Sequence, residues 1–219
     1  LNKKVHLIEK FLTYQGEIFS GRRSLILRYK TCNRIDNNCG CYFCDTKDKL
    51  NSLDIFECSL YEIQDIINKS KCDIILTGGE PTYKKNLEET IDIISNIKNC
   101  KFMIESNGLN IRDVIHYDNV YFVFSPKFFN QKEIQDNFNK VVEFKYWDNL
   151  YLKIVFRNSP LVLKFLELIS EELPPKQIYL MPEGKTKEEI LQNSKETIRI
   201  ADKFNFNLST RMHIMHDFV

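Results

Sequence analysis

The chain has 219 residues, 43% hydrophobic and 28% charged, the balance of a globular protein that buries a core rather than of a disordered one. A formal net charge of +1 supplies no pull toward nucleic acid, and no apolar run approaches the roughly 18 residues that a membrane-spanning helix needs. Leu1-Asn2-Lys3-Lys4 leads into mixed polar sequence without a signal-peptide core, so one cytoplasmic domain over residues 1–219 is the expectation.

In chain order, Ser24–Tyr29 reads as a strand and is followed by a cysteine-rich segment. Ser59–Lys69 opens with a Ser-x-x-Glu capping box and reads as a helix. Asp73–Thr77 is a second strand, Asn86–Ile97 a helix with apolar residues at helical spacing, and Lys101–Glu105 and Val120–Phe124 are further strands. Tyr151–Phe156 is another, then a helix over Pro160–Glu172 that stops before Pro174-Pro175, a strand over Gln177–Leu180 and a long amphipathic helix over Lys187–Lys203. No repeat or linker divides the chain. Such alternation implies an α/β fold with parallel strands and right-handed crossovers, either an open sheet or a partial (β/α) barrel of about six mainly parallel strands.

Unusual polar residues fall where these strands end. The cysteine segment follows the first and Gly78-Gly79-Glu80 the second. Glu105-Ser106-Asn107-Gly108, Ser125-Pro126-Lys127, Arg157 and Met181-Pro182-Glu183-Gly184 follow the others. Parallel α/β folds bind ligands at the C-terminal ends of their strands, so these loops are expected to form one active site.

Four of the seven cysteines lie between positions 32 and 44, as Cys32, Cys39, Cys41 and Cys44, a cluster that indicates metal chemistry rather than disulfides. Cys41 and Cys44 form a C-x2-C pair, and Cys32 or Cys39 supplies a third thiolate. Four thiolates suit zinc, whereas three thiolates on a four-iron cluster leave one iron open to a ligand. Spacing alone keeps both metals in play. Cys58, Cys72 and Cys100 sit in apolar or helical contexts and read as buried free thiols.

The ordered set of motifs is more specific. Tyr14-Gln15-Gly16-Glu17, Gly21, Leu27-Arg28, Cys32-Asn33, Cys41-Tyr42-Phe43-Cys44-Asp45-Thr46 and Thr77-Gly78-Gly79-Glu80-Pro81 come first. Glu105-Ser106-Asn107-Gly108, Ser125-Pro126-Lys127, Met181-Pro182-Glu183-Gly184 and Arg211-Met212-His213 complete it, over nearly the whole chain. Together they resemble the 7-carboxy-7-deazaguanine synthases, radical S-adenosylmethionine (SAM) enzymes of the queuosine precursor pathway.

The resemblance implies a radical-SAM partial barrel with a [4Fe–4S] cluster on Cys32, Cys41 and Cys44, whose fourth iron takes SAM and cleaves it to a 5′-deoxyadenosyl radical. It implies cofactor contacts at Phe43, Cys44, Asp45, Gly79, Ser125, Pro126, Lys127, Leu180, Met181, Pro182 and Glu183, and Mg²⁺ at Thr46. The implied substrate is 6-carboxy-5,6,7,8-tetrahydropterin, contracted with loss of ammonia. It would be held by Tyr14, Gln15, Gly16, Arg28, Thr77, Glu105, His213 and Val219, with the planar fork of Arg28 facing its carboxylate. A homodimer and an electron donor such as flavodoxin or ferredoxin are implied as well, with no nucleic acid or membrane partner.

Three features depart from the family pattern: Ile18 replaces a usual glycine, the interval from Cys32 to Cys41 is wide and contains Cys39, and Ser106 stands where threonine is commoner. Two other readings compete, a glycyl-radical activase type of radical-SAM enzyme and a non-catalytic zinc-binding protein.

Overall fold

A computed structural model describes residues 2–216 except Cys39, Tyr42, Asp45 and Phe128. Two compact units emerge, residues 1–14 with 21–122, and residues 15–20 with 123–219.

The first unit contains β1 (Lys4–Leu7), β2 (Glu9–Tyr14), β3 (Arg23–Tyr29), α1 (Asn33–Asp36), α2 (Lys47–Ser52), β4 (Phe56–Ser59), α3 (Leu60–Ser70), β5 (Asp73–Gly78), α4 (Lys85–Asn96) and β6 (Phe102–Ser106). Its sheet runs β2-β3-β5-β6. β3 and β5 are parallel, with Arg28 opposite Thr77, and β5 and β6 are parallel, with Leu76 opposite Ile104. β2 is an antiparallel edge, Tyr14 facing Arg23, and β1 pairs with β4 in a separate ribbon.

The capping expectation at Ser59 holds: its Oγ accepts from the Glu62 amide at 3.1 Å, and Lys71 ends α3 in the left-handed region at φ 49°. Ile63 and Ile67 of α3 are buried, as are Ile74 and Leu76 of β5, so the amphipathic face and the strand share one core. Each such side chain contributes about 1.5–3 kcal/mol when fully buried.

The strand β7 (Val120–Phe124) leads from the first unit into the second, which holds α5 (Gln131–Phe144), β8 (Leu150–Phe156), α6 (Pro160–Ser170), β9 (Ile178–Pro182), α7 (Lys187–Phe204), β10 (Asn207–Leu208) and α8 (Met212–His216). β8, β9 and β10 are parallel neighbours, with Lys153 opposite Tyr179 and Leu208 opposite Leu180. Pro160 sits in the first turn of α6, where its missing N–H costs nothing, and Ser159 caps it.

The fold is α/β with mainly parallel strands, as the alternation implied. All six expected strands form, and ten occur among the described residues. β1, β2, β4 and β10 lack the apolar β-branched runs that mark buried parallel strands: β2 is an edge reading Glu-Lys-Phe-Leu-Thr-Tyr, and β10 has two residues. α5 also escapes the pattern, because its buried positions Ile134, Asn137 and Val141 include a polar one.

Candidate active site

In the first unit the ends of β3, β5 and β6 are joined by hydrogen bonds. The Gly79 amide donates to Tyr29 O at 2.9 Å and the Glu80 amide to Thr31 O at 2.8 Å, which locks the Gly-Gly-Glu turn onto the chain entering the cysteine segment. Gly78 has φ 111°, and a β-carbon there would overlap the Tyr29 backbone. One on Gly79 would overlap the Thr31 carbonyl. The chain's own packing therefore accounts for the lack of a side chain at both positions. Asn86 fixes the same corner, with Nδ2 donating to Thr31 O and Glu80 O at 3.1 and 2.9 Å.

Glu80, absent from the expected site residues, organises this edge. It is 1% exposed. Its Oε1 accepts from the Thr82 amide and hydroxyl and from Ser106 Oγ, and its Oε2 from the Asn107 amide at 2.8 Å. Burial pushes this carboxyl up despite those donors. Asn107 Nδ2 then reaches Asn33 Oδ1 at 2.8 Å, tying the end of β6 to the segment after Cys32.

Cys32, Cys41 and Cys44 are half-buried and carry no disulfide. Cys32 precedes α1. Burial pushes its thiol up, the nearby backbone amides of Arg34 and Ile35 oppose that, and Cys41 lies near enough for the two charges to interact. The Cys44 amide donates to Cys41 O at 3.2 Å, closing a turn that carries both members of the C-x2-C pair. Among the described residues, no three Cys, His, Asp or Glu side chains are gathered as a metal site. The chemistry of the donor set nonetheless fits a thiolate-bound cluster: three half-buried thiols without disulfides on one short segment. Cys39 and Asp45 lie outside the described residues. Cys58 and Cys72 are buried as expected and Cys100 is half-buried; burial pushes Cys58 up to about 11 and Cys100 up to about 12.

Two expected substrate residues meet, since Thr77 Oγ1 donates to Glu105 Oε2 at 2.8 Å. Arg28 is half-buried, its Nε donating to Glu9 and its Nη1 to Thr46 Oγ1 at 3.3 Å. Lys49 also binds Glu9, at 2.7 Å. Burial would raise the Glu9 carboxyl, but Lys49 and Arg28 overcome it and hold it below its ordinary value. A cation on Thr46 Oγ1 would face the Arg28 guanidinium, so the described residues do not fit Mg²⁺ there. Tyr14 ends β2 and is exposed.

In the second unit Gln15 is buried, and the Gly16 carbonyl accepts from the Thr210 amide at 2.9 Å. Ser125 and Pro126 are buried, and Lys127 Nζ donates to Ser125 Oγ at 2.5 Å. Leu180, Met181 and Pro182 are buried within β9, and the Glu183 amide donates to Phe156 O at 3.3 Å. His213 belongs to α8, but its side chain lies outside the described residues, as does Val219. Sequence reasoning missed Lys153, a buried cation in the apolar strand β8. The argument applied to Arg28, a charge inside an apolar strand, would have found it.

These features define a parallel α/β protein with a reduced cysteine loop bonded to neighbouring strand ends. No family model matches the chain. Curated relatives do: the 7-carboxy-7-deazaguanine synthase of Clostridium acetobutylicum is 28% identical over 195 residues, covering 83% of this chain and 82% of that protein. Those of Hyperthermus butylicus, at 24% over 98% of this chain and 94% of the relative, and Haemophilus influenzae, at 28% over 91% and 84%, match as well. The resemblance read from the motifs is borne out: the chain is a sequence relative of the 7-carboxy-7-deazaguanine synthases.

Proposed function

We propose that this protein is a 7-carboxy-7-deazaguanine synthase of radical-SAM type, acting on 6-carboxy-5,6,7,8-tetrahydropterin as one cytoplasmic domain in queuosine and 7-deazapurine synthesis. The observation that carries the reading is the bonded junction of the cysteine segment, the Gly-Gly-Glu turn and the end of β6, in a chain whose relatives bear that name over most of its length. Cys32, Cys41 and Cys44 would hold the cluster. When bound, the cluster and SAM supply a one-electron source and a hydrogen-abstracting radical.

The chain's own residues orient and bind. Arg28, whose Nε donates to Glu9 and Nη1 to Thr46, would face the substrate carboxylate, for which its planar fork is suited. Glu105, already accepting from Thr77, takes N–H donors of the pterin ring, and Gln15 and Gly16 hold its polar edge. Phe43, Asp45, Gly79, Ser125, Pro126, Lys127 and Leu180 to Glu183 are the residues that would hold SAM. His213 and Val219 belong to the substrate side. A flavodoxin or ferredoxin supplies the electron, and the protein works as a homodimer.

The test is anaerobic reconstitution followed by incubation with dithionite, SAM and carboxytetrahydropterin, with and without Mg²⁺. The reading predicts a deazaguanine product with 5′-deoxyadenosine in no more than catalytic amounts, both lost in Cys44→Ala. Reductive SAM cleavage that leaves carboxytetrahydropterin untouched would instead support an activase.

A further inference from the structure

Lys153 is the one charged residue in the strand run Tyr151–Phe156, and it is 7% exposed. Its ammonium lies 2.5 Å from Glu17 Oε1, with the two side chains 9% and 15% exposed. A lysine so buried keeps its proton only beside an anion, and a carboxylate there needs the cation equally. Because β8 lies between β9 and β7 in the sheet, the pair fixes Glu17 to a strand with a neighbour on each side.

The rest of the segment is held from the other side. The Gly16 carbonyl accepts from the Thr210 amide at 2.9 Å, and a β-carbon on Gly16 would overlap the Thr210 carbonyl and come within 2.8 Å of Met212 Cγ. The Ser20 amide closes a turn on Glu17 O at 3.0 Å. Residues 209–211 carry the connection onward: the Ser209 amide donates to Leu180 O at 2.9 Å, and Arg211, 7% exposed, donates through Nη1 to Gly184 O. A set of bonds thus links Gln15–Glu17 to Leu180, within the segment proposed to contact SAM, and to Gly184 just past it.

We propose that Lys153 is a positioning residue: through the Glu17 carboxylate it fixes the Gln15-Gly16-Glu17 segment, and so the seat of the pterin's polar edge, without touching the substrate. The role in substrate binding rests on the functional reading above; the fixing of the segment does not.

Hydrogen exchange on the purified full-length chain tests the fixing directly. In Lys153→Met and in Glu17→Gln, amides of residues 15–20 are expected to exchange about tenfold faster or more, with those of β5 and β9 unchanged. Unaltered exchange at 15–20 in both variants, or a uniform rise over all strands, would overturn the proposal. If Lys153→Met does not fold, the doubly neutral Lys153→Met/Glu17→Gln protein and Glu17→Gln alone carry the same measurement. Kinetics then read the consequence: Lys153→Met should raise KM for carboxytetrahydropterin about tenfold with kcat within about threefold and KM for SAM unchanged, and Lys153→Arg should recover most of the loss. A fall in kcat at unchanged KM would make Lys153 catalytic instead and overturn positioning. A wild-type protein inert toward carboxytetrahydropterin would refute the functional reading, and the exchange result would still decide whether Lys153 fixes the segment.

Discussion

At Glu80 and Glu9, a buried carboxyl after β5 and a half-buried one at the start of β2 are pushed in opposite directions by their surroundings. Glu80 is met by amide and hydroxyl donors, and burial raises it. Its contribution to stability is therefore full at low pH and lost as pH rises from 4.5 through its folded value. Glu80→Gln turns an amide NH₂ toward donors that now meet oxygen, which should cost about 1–3 kcal/mol in urea unfolding, and the gap to wild type should narrow toward higher pH. Glu9 is held low by Lys49 and Arg28, so its contribution is present above 4.5 and lost as pH falls. Glu9→Gln should match wild type most closely in acid, and should weaken carboxytetrahydropterin binding because Arg28 loses its anchor. A Glu9→Gln enzyme with unchanged KM for the pterin would contradict that role for Arg28. At this scale the sequence displays residue types well and partners badly: Arg28 stood out inside an apolar strand, but nothing in the order of residues announces that Glu9 and Thr46 hold it.

Among the elements, end signals decided what was legible. Ser59, Ser159 and Thr186 each accept from an amide three residues on, and α3, α6 and α7 begin where those residues stand. Ser59→Ala should cost about 1 kcal/mol by loss of one cap bond. α5 is capped in the same way, Asn130 Oδ1 accepting from the Glu133 amide at 3.0 Å, yet its weak apolar face hid it. β2 was hidden because an edge strand needs only one apolar face, and Glu9 and Lys10 occupy the start of it. The Gly-Gly turn was visible at the end of its strand, and the contacts a β-carbon would make with Tyr29 and Thr31 supply its reason. Gly78→Ala forces both a positive φ and a clash with the Tyr29 backbone, so it should lower Tm by several degrees, corresponding to more than about 1 kcal/mol. A Gly78→Ala protein as stable as wild type would show that the turn relaxes more freely than this packing allows.

For the molecule as a whole, alternation of strands and helices was enough to place the cysteine segment at a strand end, and the bonded β3, β5 and β6 termini agree with that placement. The identity of the metal was not legible from spacing, since thiolates at these intervals serve zinc and iron alike. The central claim is that Cys32, Cys41 and Cys44 hold an iron–sulfur cluster, and iron, zinc and sulfide analysis after anaerobic reconstitution tests it most directly. The account predicts about four irons and four sulfides per chain with a brown absorbance, all lost when the three cysteines are replaced by alanine. A colourless protein that takes up zinc through the same cysteines and no iron would contradict it.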